Sequence, residues 1–348
     1  MKKTKWIRLT AMMLAVVVLM AGPFGGAALA ADNETYREFK PPRDIPSTPQ
    51  WEQQEVTCQS GDNTLRGTLT VPKEHDDQIP VAILLHGLNT DRSWCDDIAW
   101  ILADNGIASV RFDFDGNGAS DGASEDMTIS SEVRDTIAML DYVEGLDFTD
   151  PDNIFVVGKS MGAVDAVLAS QGRGDEIRAM CLWYPGFGVT DAVRRGFLLG
   201  SFFNPIDLPD TLEAAGYTYG KGFLQEAQAL DYKSACQSYS GPVLILHGDL
   251  DFIAPISYSY EAEKWFPDCT LQVVPGGFHG FYGSERYAGL LPGPYGLTKP
   301  NKEVAAMHTQ RPLFALRTPS AGLRTPPRSG KFSARSPPPA PIYHPSAP

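Results

Sequence analysis

The chain has 348 residues, enough for one large domain or two small ones, each with a sizeable core. Its formal net charge is −13 at pH 7, and residues 31–287 alone carry 41 Asp and Glu against 17 Lys and Arg. Because such an acidic body repels polyanions, we expect no nucleic-acid binding by the folded part of the chain.

The N-terminus has the pattern of a secretory signal peptide. Residues 2–8 are rich in Lys and Arg, Leu9 to Met20 is an apolar run, and Ala28-Leu29-Ala30 is a small-x-small cleavage site. The run is too short to cross a bilayer comfortably, which favours a removed signal over a retained anchor. We therefore predict cleavage after Ala30, loss of residues 1–30, and a secreted, extracellular protein with no stable membrane span.

A polar stretch and a β-hairpin precede the main body of the chain. Residues 31–54 contain four spaced prolines and predict an extended lead-in. Glu55–Ser60 and Thr64–Val71 are strand-like and flank Gly61-Asp62-Asn63, which is a hairpin signal. We assign the main domain to residues 55–287.

Strand-like and helix-like segments then alternate along this domain. Short apolar or β-branched runs predict strands at Val81–Leu85, Ala108–Phe112, Ile154–Val157, Ala179–Tyr184, Val243–Leu246 and Leu271–Val274. Helical patterns are present at Trp94–Asn105, Ile129–Glu144 (with Val133, Ile137, Leu140 and Val143 on one face), Ala163–Ser170 and Ser257–Trp265. A hairpin followed by β-α units predicts an α/β fold with a doubly wound, mostly parallel sheet and ligands at the carboxyl ends of its strands.

The segment Gly158-Lys159-Ser160-Met161-Gly162 stands between a predicted strand and a predicted helix. Gly-x-Ser-x-Gly in this context is typical of a nucleophilic serine on a sharp strand-to-helix turn, and a Cβ at either glycine would collide with a neighbouring strand or helix. The turn exposes the Ser160 hydroxyl and directs the first N–H groups of the helix at whatever that hydroxyl attacks. We therefore predict that Ser160 is a catalytic nucleophile.

A nucleophilic serine needs a base, and the base needs an orienting carboxylate. In this architecture the three occur along the chain in the order serine, acid, histidine. Asp249 and Asp251 follow a predicted strand, and either could be the acid or could merely cap the next helix. His279 lies in a glycine-rich loop after the last strand and is the candidate base. His86 and His247 each end a strand before a glycine, so we expect them to hold loop geometry.

Two backbone N–H groups should complete an oxyanion hole. Met161 follows the nucleophile, and Leu88 lies in the loop after the predicted strand that ends at Leu85. We predict these two as the donors. The chemistry calls for no metal and no organic cofactor.

The segment at residues 185–240 is longer than a usual β-α-β crossover. Its aromatic residues are crowded together: Phe187, Phe197, Phe202, Phe203, Tyr217, Tyr219 and Phe223. An aromatic-rich insertion above the strand ends predicts a cap that walls a pocket. The alternative is an elaborated crossover whose aromatic side chains pack on the sheet.

One segment of the chain has a pattern that would instead predict a calcium-binding loop. The segment from Asp113 to Asp121 matches several ligand positions of an EF-hand loop. The twelfth position is Ser124, where a bidentate Glu is needed, and a strand precedes the loop where an EF-hand has a helix. We expect the loop to shape the rim of the active site.

The five cysteines match no zinc spacing and no Cys-x-x-Cys motif. Cys95 and Cys181 lie in apolar surroundings and are expected in the core. Cys236 and Cys269 lie near the predicted strands Val243–Leu246 and Leu271–Val274, which flank the candidate acids, so a disulfide between them is conceivable.

Across about residues 56–287, the chain resembles the α/β-hydrolase superfamily and, within it, the bacterial cinnamoyl or feruloyl esterases. The resemblance rests on Leu84-Leu-His-Gly87, Arg111-Phe-Asp-Phe-Asp-Gly-Asn-Gly118, Ser120-Asp-Gly122, Gly158-Lys-Ser-Met-Gly162, Gly241-Pro-Val-Leu-Ile-Leu-His-Gly248, Pro255-Ile-Ser-Tyr-Ser-Tyr260 and His279-Gly-Phe281. The family spacing of Ile253-Ala254-Pro255 favours Asp251 over Asp249 as the acid.

The resemblance implies an α/β-hydrolase fold with a cap insertion and a serine esterase that forms an acyl-enzyme intermediate. The substrates it implies are small-molecule carboxylic esters, among them hydroxycinnamate esters of plant cell-wall sugars. Leu88 stands where these esterases often have an aromatic residue, and Met161 where they often have Gln, so the acyl preference is left open. A serine peptidase of the same fold and a non-catalytic cell-wall-binding protein are the alternatives.

The C-terminal segment departs from the family pattern. Residues 288–348 contain 13 of the 28 prolines and eight Lys and Arg against one Glu, without apolar periodicity. This composition predicts disorder. The segment is either a natural unstructured, wall-associating extension or the product of a frameshift, and the missing final helix of the family favours the frameshift.

Overall fold

The computed structural model describes residues 49–281 of the chain. The predicted signal peptide, residues 31–48 of the predicted lead-in, and the chain from residue 282 onward, including the predicted tail, lie outside the described residues. Within the described range, no helix has the length and apolar character needed to cross a membrane.

The strands of the described segment are, in chain order, β1 (Trp51–Ser60), β2 (Asn63–Pro72), β3 (Ile79–Leu85), β4 (Ala108–Asp113), β5 (Thr149–Lys159), β6 (Ala179–Trp183), β7 (Phe197–Leu198), β8 (Ser201–Phe202), β9 (Thr211–Ala214), β10 (Tyr217–Gly220), β11 (Val243–Gly248) and β12 (Cys269–Val274). The helices are α1 (Asp96–Asp104), α2 (Ile129–Glu144), α3 (Met161–Arg173), α4 (Val189–Arg194), α5 (Lys221–Ala229), α6 (Tyr232–Ser238) and α7 (Ser257–Trp265). Short 3-10 turns cover Arg92–Cys95, Gly174–Glu176 and His279–Phe281. Every predicted strand and helix is present, although some ends differ by several residues.

Eight of the strands form one sheet in the order β1-β2-β4-β3-β5-β6-β11-β12. β2 pairs antiparallel with β1 and with β4, and all other neighbours are parallel. The predicted α/β fold with a doubly wound, mostly parallel sheet is therefore confirmed. Because the chain runs from β3 outward to β4 and then returns to β5, the strand order changes direction between β3 and β5. The carboxyl ends of these two strands meet at the position where α/β sheets bind ligands.

The hairpin begins earlier than the sequence indicated. β1 starts at Trp51, inside the predicted lead-in, and pairs with β2 from Trp51 opposite Pro72 to Ser60 opposite Asn63. The buried Trp51 ring stacks on Trp100 of α1 with ring centroids 5.9 Å apart. Residues 52–55 are exposed because β1 is the outer edge of the sheet, and the strand therefore has little apolar signal there.

Helix α2 has the predicted bounds but not the predicted buried face. Leu140 and Val143 are buried, whereas the other two expected apolar positions are partly exposed. Glu132 and Asp135 are buried in their place. The apolar face expected from the sequence is therefore wrong in its first half, where carboxyl side chains face the interior.

The long connection between β6 and β11 contains α4, α5, α6 and two small hairpins, β7–β8 and β9–β10. Phe187, Tyr219 and Phe223 are fully buried and belong to the main hydrophobic core. Phe202, at the end of the first hairpin, is 81% exposed. The aromatic side chains are thus divided between core and surface, and a pocket-walling role stays a prediction.

All five cysteines lie within the described residues and are free thiols. The conceivable disulfide between Cys236 and Cys269 is therefore not formed. Cys95 and Cys181 are buried, as predicted, and burial raises the pKa of each thiol to about 12. These two thiols are accordingly protonated core side chains.

Candidate active site

Ser160 stands at the turn between β5 and α3. Its backbone has φ 52° and ψ −114°, a sparsely populated conformation that costs a non-glycine residue about 1–3 kcal/mol. The Ser160 N–H donates to the Trp183 carbonyl oxygen at 3.0 Å, and the Ser160 carbonyl oxygen accepts from the Gly186 N–H at 2.9 Å. The end of β6 and the loop after it therefore hold the strained turn in place, as in the predicted strand-to-helix serine turn.

The glycines around this serine are required by close contacts. A Cβ at Gly158 would lie 2.4 Å from the carbonyl oxygen of Gly162, and a Cβ at Gly162 would lie 2.4 Å from the carbonyl oxygen of His86. Both predicted collisions are confirmed. A Cβ at Gly87 would lie 2.9 Å from the Ser160 Cβ. Glycine thus lets the end of β3 approach both α3 and the serine.

The structure brings the predicted serine, histidine and aspartate together. His279 Nδ1 lies 2.7 Å from Asp251 Oδ2, and His279 Nε2 lies 3.1 Å from Ser160 Oγ. Asp249, the other candidate acid, is exposed and accepts a hydrogen bond from the Gly276 N–H at 2.7 Å. Of the two aspartates, Asp251 is therefore the one that contacts the histidine.

Asp251 is buried and well supplied with donors. Its Oδ1 accepts from the N–H groups of Ile253 at 3.0 Å and Ala254 at 2.9 Å. Its Oδ2 faces His279 and also His247, whose Nε2 is 3.2 Å away. Burial acts to raise the pKa of Asp251, but the hydrogen bonds from His247 and His279 outweigh it and lower that pKa to about 2. The carboxylate is therefore ionised wherever the histidine can act as a base.

Close backbone contact between two loops places His279 beside Asp251. A Cβ at Gly248, the last residue of β11, would lie 2.1 Å from the Gly277 carbonyl oxygen. The glycines before His279 thus let the loop after β12 approach the end of β11. The Tyr184 ring packs edge-on against the imidazole, with centroids 4.7 Å apart, and limits its rotation.

The loop after β3 is fixed through the carbonyl oxygen of Gly87. The Phe114 N–H donates to Nε2 of His86 at 3.2 Å, so the ring proton lies on Nδ1. That Nδ1 is 2.9 Å from the Gly87 carbonyl oxygen, and the Thr90 hydroxyl donates to the same oxygen at 2.7 Å. Burial lowers the pKa of His86, which keeps its ring neutral. Because a trans peptide sets its N–H opposite its C=O, this anchoring also fixes the direction of the Leu88 N–H.

The two predicted oxyanion donors both adjoin the serine. Leu88 follows Gly87, which contacts Ser160, and within residues 49–281 its N–H makes no backbone hydrogen bond. Met161 is the first residue of α3, where an N–H has no acceptor within the helix. Both residues therefore lie near Ser160 along the fold, and the role of their N–H groups in binding an oxyanion stays a prediction.

The calcium-like loop after β4 uses its carboxylates for protein contacts. Asp113 accepts from the N–H groups of Arg92 at 2.7 Å and Ala119 at 2.9 Å, and Asp115 accepts from the Asn63 amide at 2.9 Å. In the described part of the chain, no group of three or more His, Cys, Asp or Glu side chains is arranged to hold a metal ion. The loop ties the end of β4 to the start of β2 and to the loop after β3.

Two contacts near the site were not predicted from the sequence. His247 was expected only to hold loop geometry, yet it also faces the Asp251 carboxylate. The four-residue spacing of the two was an available signal, since a buried carboxylate after a strand needs donors nearby. Asn89 contacts Ala214, Ala215 and Tyr219, all more than a hundred residues away, so no local pattern could have indicated it.

A mostly parallel sheet, a serine on a strand-to-helix turn, and a histidine and an aspartate on later loops are the features of an α/β hydrolase. Comparisons with known proteins agree with this class. Residues 77–206 match the family model described as serine aminopeptidase, S33, and residues 204–285 match the model described as α/β hydrolase fold. The chain belongs to the α/β-hydrolase superfamily.

The individual relatives share less than a third of their residues with this chain. A structure of Est1E from Butyrivibrio proteoclasticus with ferulic acid bound is 29% identical, with a TM-score of 0.63, over 67% of this chain and 94% of that chain. A second Est1E structure is 27% identical, with a TM-score of 0.60, over 66% and 91% of the two chains. The mitochondrial palmitoyl-protein thioesterase ABHD10 of Homo sapiens, and likewise that of Pongo abelii, is 28% identical over 165 residues, 43% of this chain and 49% of the relative. The chain thus matches about half the length of these curated relatives.

Proposed function

We propose that the protein is a serine hydrolase of carboxylic esters in which Ser160 is the nucleophile, His279 the base and Asp251 the orienting acid. The observation that carries the proposal is the pair of short contacts, 2.7 Å between Asp251 and His279 and 3.1 Å between His279 and Ser160. Nucleophile, base and orienting group within hydrogen-bond reach are the signature of covalent catalysis by serine.

The first half of the reaction transfers the acyl group to the enzyme. His279 Nε2 takes the hydroxyl proton as Ser160 Oγ attacks the ester carbonyl carbon, and the Asp251 carboxylate stabilises the imidazolium that forms. The carbonyl oxygen becomes an oxyanion that accepts hydrogen bonds from the N–H groups of Leu88 and Met161. The carbon–oxygen bond to the alcohol then breaks, and the alcohol leaves with the proton from His279.

The second half releases the acid. Water gives a proton to His279 Nε2 and attacks the acyl carbon, and the same two N–H groups bind the second oxyanion. When the bond to Ser160 Oγ breaks, the serine regains its proton from the imidazolium. The enzyme is restored with no other reactant than ester and water.

For the acyl group we propose hydroxycinnamates, with feruloyl esters as the substrates to test first. The support is the similarity to Est1E, whose structure holds ferulic acid. A thioester is the second substrate to test, since the curated relatives are named palmitoyl-protein thioesterases. We expect kcat/KM to be highest for methyl ferulate in a comparison with methyl butyrate and a palmitoyl thioester. A higher value for either competitor would reassign the acyl specificity.

A serine peptidase is the second candidate function, because residues 77–206 match the serine aminopeptidase model. The same serine and histidine could cleave an amide, provided that His279 protonates the departing amine. A p-nitrophenyl ester and an aminoacyl p-nitroanilide differ in this leaving group. Faster turnover of the ester supports the esterase, and faster turnover of the anilide supports the peptidase.

The nucleophile is tested with Ser160→Ala. We expect this variant to lose turnover of p-nitrophenyl butyrate and labelling by a fluorophosphonate, with an unchanged thermal unfolding temperature. Ser170→Ala is the matched control, because Ser170 lies in the same helix and its hydroxyl only donates to the Val167 carbonyl oxygen. Unchanged turnover by Ser160→Ala would remove Ser160 as the nucleophile.

We also propose that the enzyme is exported. The support is the sequence of residues 1–30, with a basic start, an apolar run and the small residues Ala28 and Ala30. When the full chain is expressed in a bacterial host, mass spectrometry of the secreted protein should find Ala31 as the first residue. Retention of an uncleaved chain in the cytoplasm would contradict export.

A further inference from the structure

The hairpin β9–β10 is fastened to the loop after β3 by one side chain. Asn89 donates from its Nδ2 to the carbonyl oxygens of Ala214 at 3.3 Å and Ala215 at 3.2 Å. The Tyr219 hydroxyl donates to its Oδ1. One amide thus makes three hydrogen bonds to a hairpin that belongs to the long insertion between β6 and β11.

Asn89 directly follows Leu88, whose N–H is a proposed oxyanion donor. On the upstream side, the Leu88 peptide is held through the Gly87 carbonyl oxygen, which accepts from His86 and Thr90. On the downstream side, Asn89 has φ +57°, a left-handed conformation that asparagine tolerates better than most residues. Its side-chain hydrogen bonds stabilise this conformation, so Leu88 lies between two anchors.

Tyr219 is a rigid partner for the amide. It is fully buried, and its ring packs on Phe223 with centroids 5.0 Å apart. Burial raises the pKa of its hydroxyl, which therefore stays protonated and donates. Behind the tyrosine, a Cβ at Gly220 would lie 2.0 Å from the Glu125 carbonyl oxygen, so the hairpin is itself pressed against the loop before α2.

We propose that Asn89 and Tyr219 are positioning residues for the oxyanion donor, and that the hairpin β9–β10 is in this way part of the catalytic framework. The inference rests on the proposed function. Neither side chain needs to touch the substrate: they hold the backbone of Leu88 where its N–H meets the developing charge. Since oxyanion donors act mainly in the transition state, loosening this anchor should lower kcat more than it changes KM.

The experiment compares two buried tyrosine hydroxyls. Tyr219→Phe removes the donor to Asn89, while Tyr239→Phe removes a hydroxyl that is equally buried but donates to the Ile177 carbonyl oxygen at 2.9 Å. On p-nitrophenyl butyrate we expect Tyr219→Phe to lower kcat roughly tenfold, with KM changed by less than about twofold. Tyr239→Phe should keep the wild-type kcat, even if it lowers the unfolding temperature by as much as Tyr219→Phe does.

Asn89→Gly is the second variant, because glycine keeps the left-handed backbone without strain and removes all three hydrogen bonds. Its kcat should fall on the order of a hundredfold, and adding Tyr219→Phe to it should cause almost no further loss. Equal kcat for Tyr219→Phe and Tyr239→Phe, or independent effects of Asn89→Gly and Tyr219→Phe, would overturn the positioning role. Ser160→Ala distinguishes failure of the positioning role from failure of the proposed function. If one of those outcomes is found and Ser160→Ala is inactive, only the positioning role is wrong. If Ser160→Ala is active, the proposed function is wrong as well.

Discussion

The imidazole of His247 lies against the same oxygen of Asp251 that His279 contacts, with Nε2 of His247 3.2 Å and Nδ1 of His279 2.7 Å from Oδ2. The His247 ring is held on both sides, by the Ser259 hydroxyl at 2.7 Å from Nδ1 and by the Ala254 carbonyl oxygen at 2.7 Å from Nε2. An Nε2–H directed at that carbonyl also faces the carboxylate. Asp251 is thus a buried anion between two imidazoles, of which only one reaches the serine.

This arrangement predicts an acid-sensitive contribution to stability. The pKa of Asp251 is lowered from its ordinary value of 3.8 to about 2. Its contribution to the free energy of unfolding is therefore present above pH 3.8 and is lost as the pH falls through about 2; the difference amounts to about 2 kcal/mol. We expect His247→Phe, which removes the ring N–H, to raise this pKa and to flatten the loss of stability between pH 5 and pH 2.

Urea unfolding at a series of pH values measures this effect. His247→Gln is the conservative control, because its amide can donate a hydrogen bond and should restore part of the acid dependence. Parallel curves of unfolding free energy against pH for the wild type and His247→Phe would show that His247 does not act on the carboxylate.

The two aspartates after β11 should differ sharply in their effect on turnover. In Asp251→Asn the amide N–H would donate to His279 Nδ1. The imidazole would then carry its proton on Nε2, and this nitrogen could not accept a proton from Ser160. In a Ser-His-Asp enzyme, such a change of tautomer lowers kcat on the order of ten-thousandfold. Asp249→Asn should keep nearly full activity, since Asp249 contacts the Gly276 N–H and not the histidine.

The kcat of both variants on p-nitrophenyl butyrate, with unfolding temperatures to show that both fold, checks this prediction. A comparable loss in the two would mean that the 2.7 Å contact between Asp251 and His279 does not orient the base.

The serine could be predicted because its signal is local. A buried strand, a glycine on each side and a following helix lie within a few residues of Ser160, and each is needed for the turn. The order of acid and histidine along the chain then located the two loops. The choice between Asp249 and Asp251 could not be made from the residues alone, because both follow β11 and only the approach of the loop after β12 gives each its partner.

Other features were harder to predict because the contacts that decide them join distant parts of the chain. The sequence predicts a later start for β1, because the exposed residues of its first half have the polar pattern of a loop. The contact that shows otherwise, between Trp51 and Trp100, joins residues about fifty positions apart. The buried face of α2 was misjudged because a periodic pattern assumes that carboxyl groups face water. Glu132 and Asp135 contradict that assumption.

A substitution at Gly162 should be far more damaging than one ten residues along the same helix. A Cβ at Gly162 would lie 2.4 Å from the His86 carbonyl oxygen and 2.7 Å from that of Leu85, both backbone atoms that cannot move without disturbing β3. Gly162→Ala should therefore lower the free energy of unfolding by about 3 kcal/mol or prevent folding. At Gly172 an added Cβ has no atom within 4 Å, and Gly172→Ala should raise the free energy of unfolding by about 0.5–1 kcal/mol. Urea unfolding of the two variants tests the pair, and equal stabilities would contradict the close approach of α3 to β3.

The buried carboxyl groups between α2 and α3 predict a second, opposite pH dependence. Glu132 and Asp165 are buried, and Oε2 of Glu132 and both carboxyl oxygens of Asp165 find no hydrogen-bond partner among the described residues. Burial, followed by the charges of Asp135 and Glu226, raises the pKa of Glu132 from its ordinary 4.5 to about 8. The folded protein therefore keeps a proton that the unfolded chain releases, and the free energy of unfolding falls as the pH rises from 4.5 to about 8.

Glu132→Gln keeps the shape of the protonated group and has nothing to ionise. We expect it to match the wild type near pH 5 and to be more stable at pH 8 by on the order of 2 kcal/mol, because the variant has one carboxyl group fewer to bury or protonate at that pH. Glu261→Gln, on an exposed side chain paired with Lys264, is the control and should leave the pH dependence unchanged. Urea unfolding at pH 5 and pH 8 measures both variants. A Glu132→Gln variant that is no more stable than the wild type at pH 8 would contradict the raised pKa of Glu132.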